Sequence, residues 1–146
     1  MDERVARLKS PGECEQFIAN VKDRLPELAR LARRRAVELR AAAHEAKTDA
    51  EREAVQAVYA YEEGLFKQRG KRIRASRTWQ MIEKHGIIGA VERVVNRRSE
   101  SAGYKTLVEM GMQDMSFEAV VLRHPAAFSP EAAKRSAERL QEWNQA

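Results

Sequence analysis

Lys67, Arg69, Lys71, Arg72, Arg74 and Arg77 place six cations in eleven positions, and no Asp or Glu interrupts them. With a formal charge of +5 on the whole chain and +6 in this segment, the remainder carries −1. Basicity is therefore concentrated at one place, which is the electrostatic footprint of a polyanion-binding site. Each Lys or Arg that reaches a phosphate releases condensed counterions, a gain that needs no particular base sequence. Four of the six are Arg, whose planar fork of donors suits bidentate phosphate contact. Ser76 and Thr78 add hydroxyl donors, Gly70 lets the backbone approach closely, and Trp79 is placed to stack or to anchor. If all six cations met phosphate, log K would fall against log salt with a slope of about −5.

Other chemistries find less support. His44, His85 and His124 stand far apart, and Cys14 is the sole cysteine, so the close, regular ligand spacing of a zinc site is missing. Gly64 to Lys71 differs from a phosphate-binding P-loop: five residues separate Gly64 from Gly70, Arg72 stands in place of Ser or Thr, and a helix precedes it. Glu62 and Glu63, just before the basic segment, are the acids a metal-dependent nuclease would use. Met110, Met112 and Met115 surround Gly111, and flexible thioethers suit either core filling or an adaptable protein interface. No catalytic residue, metal ligand or cofactor is assigned.

Helices must position these groups. At 146 residues, 43% hydrophobic and 34% charged, the chain can bury one core beneath a charged surface. Seven Gly and four Pro are too few for a turn-rich all-β fold. Ser10-Pro11-Gly12-Glu13 and Thr48-Asp49-Ala50-Glu51 read as capping boxes. Pro26 opens a helix whose Leu25, Leu28, Ala32, Ala36, Leu39 and Ala43 fall at spacings of three and four. Ala54, Val58, Tyr61 and Leu65 mark the face of the next long helix, which Gly70 is placed to end. The short connection near 47–49 predicts that these two long helices form an antiparallel hairpin.

Beyond Gly70 the elements shorten, to about 77–85, 87–97, 102–110, 115–124 and 130–144, with Ser76 a candidate cap and Gly86 and Gly111 terminators. Trp143 predicts that the last helix docks. The expectation is an all-α single domain over 1–146, with a helical hairpin over 10–70 and a short-helix cluster over 71–146. A second basic stripe, Arg30, Arg33, Arg34 and Arg40, is diluted by Glu27 and Glu38 and reads as a solvated helix face.

The stretch 78–98 forms helix, glycine, helix. Val91-Glu92-Arg93-Val94-Val95-Asn96 resembles the recognition-helix pattern of lac-repressor-type helix-turn-helix domains. Gly86 stands one position from that family's turn glycine, and the unit is central in the chain. The resemblance implies that Arg93 and its neighbours face DNA while Ile87, Val91, Val94 and Val95 pack inside. The expected function is nucleic-acid binding, with DNA favoured over RNA. Lys67, Arg69, Lys71, Arg72, Arg74 and Arg77 would contact phosphate, and Arg93, Arg97 and Arg98 would extend the surface. The alternatives are a protein-interaction factor, with Met110, Met112 and Met115 as its contact, and a nuclease using Glu62 and Glu63. No apolar run is long enough to span a membrane, and one cysteine suits a cytoplasmic setting.

Overall fold

The structure, a computed structural model, describes residues 2–97 and 101–145. Among these residues the fold is all-α, with eight α-helices, two short 3-10 turns and no strand. The chain clusters into two compact units, Met1–Glu45 and Ala46–Ala146.

The first unit contains α1 (Glu3–Ala6), α2 (Pro11–Val21) and α3 (Pro26–Ala42). The capping box at α2 forms: Ser10 Oγ accepts from Glu13 N at 3.1 Å, and the Glu13 carboxylate accepts from Lys9 N at 3.2 Å. Val5, Leu28 and Ala32 form one core cluster of this unit, covered by Leu8, Phe17, Ile18 and Val21. Here α3 packs extensively on α2. Cys14 is fully buried on α2, and burial pushes its thiol pKa up, so it is a core residue and a poor nucleophile.

The second unit is organised by α4 (Asp49–Arg69), which packs against α5 (Ser76–Asn96), α6 (Ala102–Glu109) and α7 (Phe117–Arg123), while α8 (Pro130–Gln145) lies on α7 and α5. Thr48 Oγ1 accepts from Glu51 N at 3.1 Å, and Glu51 accepts from Lys47 N at 2.8 Å, as the second capping box predicts. Gly70 ends α4 at φ 73°. Gly111 ends α6 at φ 70°, with Met112 N bonded to Leu107 O and Gly111 N to Val108 O, the paired bonds of a Schellman motif. The core joins Ala54 and Ala57 of α4 to Val91 and Val95 of α5, Val120 and Val121 of α7, and Phe128 and Ala132 around the start of α8.

The expected hairpin of α3 with α4 is not what organises either unit. The two helices belong to different units, and each finds partners in its own: α2 for α3, and α5, α6 and α7 for α4. A short connection constrains two helices to be close in sequence, but the width of the buried surface chooses their partners. Ala54, Val55, Ala57, Val58 and Ala60 are all buried, so α4 is covered around much of its circumference rather than along one stripe.

Candidate nucleic-acid interface

The last turns of α4 carry Lys67 and Arg69; Gly70 turns the chain, and residues 71–75 lead into α5. Two acids on α4 fix this connection. Glu62 Oε2 accepts from Ala75 N at 2.7 Å and from the indole Nε1 of Trp79 at 2.8 Å. Glu63, only 5% exposed, forms an ion pair with Arg72. The Arg72 guanidinium also lies 4.0 Å from the centroid of the Phe66 ring, and that of Arg74 lies 5.2 Å from the Trp79 ring. The expected Ser76 cap does not form. Ser76 is already helical, and no side chain caps the preceding Ala75 position. Glu62 instead serves the N-terminus of α5 from a neighbouring helix.

These bonds divide the six cations. Arg72 is committed to Glu63 and Phe66. Lys67 reaches Glu109 at 3.8 Å, an exposed and weak pair. Arg69, Lys71, Arg74 and Arg77 are exposed to solvent. Trp79 is buried and tilts against Tyr59 with centroids 5.1 Å apart, so it anchors the segment and presents no free face for stacking. Thr78 is likewise buried.

Within α5 only Gly86 leaves helical geometry, at φ 80° and ψ 168°, so a single residue separates the segments 76–85 and 87–96 where a helix-turn-helix commonly uses three or four. Val91 and Val95 are buried and Ile87 packs on the core, while Val94 is half-buried at a cavity. Arg93 is exposed and donates to Gly89 O at 3.2 Å. Partial desolvation, together with the charges of Arg93 and Lys84, holds the His85 imidazole below its ordinary pKa. Arg97 lines the cavity beside Val94, and its carbonyl accepts from Arg139. Arg98 lies outside the described residues.

That cavity, of about 280 Å³, was not foreseen from the sequence. Tyr61, Tyr104, Phe117 and Trp143 line it, together with Arg97 and Glu118. A second cavity, of about 290 Å³, is lined by Arg69 and Gln68. Both include Tyr61, Gly103 and Leu107 in their walls, so they adjoin at α4 and α6, and the first, with its rings, is the aromatic groove. The rings come from α4, α6, α7 and α8, and no linear motif joins residues so far apart. Of the predicted cations, Arg97 lines the first cavity and Arg69 the second.

No protein-family model, curated protein or solved structure matches this chain.

The methionines correct one expectation. Met110, Met112 and Met115 are 2%, 0% and 3% exposed, so they fill the core beneath α6 and cannot offer a contact surface. Glu62 and Glu63 diverge to separate structural partners, and among the described residues no group of three or more His, Cys, Asp or Glu could hold a metal ion.

Proposed function

We propose that this protein binds nucleic acid, with the segment from Lys67 to Arg77 as its phosphate-contacting surface. The observation that carries this reading is the double staple. Glu62 and Glu63 fasten a cation-rich connection to α4, so that Arg69, Lys71, Arg74 and Arg77 stand in solvent from a fixed backbone. A surface held in place before binding loses less conformational freedom on association than a free basic tail. No Asp or Glu stands between these four cations in the sequence.

Four contacts in place of six lower the expected salt slope to about −3.6 on duplex DNA. Fluorescence anisotropy with labelled duplex DNA, single-stranded DNA and RNA, each titrated across about 50 to 200 mM salt, measures it. Replacing Arg74 and Arg77 by Glu should weaken binding at least about tenfold at the lower salt. An affinity that does not change with salt overturns the reading.

A further inference from the structure

We infer that the aromatic groove of the second unit takes an unstacked nucleobase, so that the preferred ligand is a single strand. This rests on the nucleic-acid reading above and names what that reading leaves open. A phosphate surface alone does not distinguish a duplex from a single strand, because both present the same anion. A base pocket does, because a paired base has neither face available.

The groove has what such a pocket needs. Tyr104 and Trp143 form a ring pair with centroids 5.5 Å apart and planes 32° from parallel, and Tyr104 Oη is fixed by Asn144 at 2.8 Å. Tyr61, on α4, is 40% exposed, which makes it the ring with a face to offer. Every base has a π-face, and stacking on protein rings is the sequence-tolerant part of single-strand recognition. Glu118 is 5% exposed in the wall, with Arg139 at 3.2 Å balancing its charge; its carboxylate is an acceptor for the exocyclic amine of a base. One cation lines each cavity, Arg97 in the first and Arg69 in the second. Arg69 is also the last residue of α4 and a member of the basic segment, so one cation belongs both to a cavity wall and to that segment. Through Arg69 the cavity wall shares one phosphate-binding cation with the surface already proposed.

Oligo-dA, whose bases carry an exocyclic amine, is the probe, compared with its duplex with oligo-dT by anisotropy at fixed salt. The wild-type chain should bind the single strand at least about fivefold more tightly than the duplex. Tyr61→Ala should weaken the single strand by at least about fivefold while changing the duplex less than about twofold. Trp143→Leu should do the same. If that variant fails to fold by circular dichroism, the exposed Tyr61 decides the matter. Equal affinity for strand and duplex, or a Tyr61→Ala variant that binds oligo-dA as the wild type does, overturns the base pocket and leaves the basic surface standing. Salt-dependent binding to neither probe overturns both.

Discussion

Two stretches of this chain are rich in arginine, and they use it in opposite ways. On α3 the cations are engaged by groups of their own unit. Arg30 pairs with Glu27 one turn away at 3.2 Å, Arg40 pairs with Glu15 of α2 at 2.7 Å, and Arg35 donates to the Leu8 carbonyl at 3.2 Å. Arg33 and Arg34 are half-buried. At the junction of α4 and α5, Arg72 plays a comparable part on the buried Glu63 and Lys67 makes a long, exposed pair with Glu109, while Arg69, Lys71, Arg74 and Arg77 face water. The number of arginines does not separate a structural set from a binding set. The position of the acids does. On α3 an acid lies within one helical turn or on the packed neighbour. In the junction the acids just upstream on α4 reach the Ala75 backbone, the Trp79 indole and Arg72, and Glu109 of α6 reaches Lys67 at 3.8 Å.

The sharpest way to break this comparison is to remove Arg72. Its loss removes the guanidinium from the buried Glu63 carboxylate, and cutting a buried pair from one side is destabilising. Arg72 is itself part-exposed, so Arg72→Ala should cost about 2 kcal/mol, less than for a fully buried pair. Arg40→Ala, on the α3 stripe, should cost under about 1 kcal/mol. Urea midpoints with unchanged slopes measure both. If the two substitutions cost the same, Arg72 is not the structural member of its cluster.

Binding gives the next test. Arg74→Gln combined with Arg77→Gln should weaken DNA binding roughly tenfold at low salt, about 1.4 kcal/mol. Arg30→Gln combined with Arg40→Gln should leave the affinity within about twofold. An equal loss from both pairs would mean that the α3 stripe also meets phosphate, and the two regions would no longer be opposites.

Much of the helical framework was legible because its signals are local. Ser10 and Thr48 with their glutamates three residues on, Pro11 and Pro26 at first helical positions, and Gly70, Gly86 and Gly111 at positive φ each act within one turn of chain. The six-cation run was visible for the same reason. What could not be read was pairing over distance. Nothing in the sequence of α4 says that Glu62 will serve the N-terminus of α5, which is why Ser76 was expected to cap it. Nothing near Met112 says whether a thioether is buried. The groove is the extreme case: Tyr61 and Trp143 line one cavity from opposite ends of the second unit's sequence.

Arg123, outside both basic stretches, extends the structural side of the comparison. Its Nε lies 2.6 Å from Glu53 Oε1, and His124 Nε2 lies 2.9 Å from Glu53 Oε2, which ties the end of α7 to α4. Burial alone would raise the Glu53 pKa, but the hydrogen bonds and charges of Arg123 and His124 outweigh it and hold the carboxyl below its ordinary value of 4.5. A depressed carboxyl pKa stabilises the fold above the unfolded value, and that contribution is lost as pH falls through the folded one. The stability difference between wild type and Glu53→Gln should therefore shrink as pH drops below about 4.5. Urea unfolding at a series of pH values measures it. A difference that stays constant into strong acid would mean that Arg123 contributes packing rather than charge.

The smallest effect is the most discriminating for Glu62. Its Oε2 accepts two N–H groups, and a glutamine oxygen can accept the same two, so Glu62→Gln keeps the staple while removing a negative charge beside the exposed cations. The neutral acceptor is weaker, and the fold should lose no more than about 1 kcal/mol. Binding should move the other way, tightening roughly two- to threefold at low salt as repulsion of phosphate is relieved, with the gain vanishing at high salt. Anisotropy titrations of the variant at both ionic strengths measure this. A nuclease would require the charged form of Glu62, so plasmid cleavage in Mg²⁺ that disappears in Glu62→Gln would overturn its assignment as a staple. Tighter, salt-sensitive binding with the plasmid intact in both proteins would place Glu62 with Glu63 on the structural side. The remaining cations of the junction would then act on phosphate against a carboxylate background that serves only to hold them still.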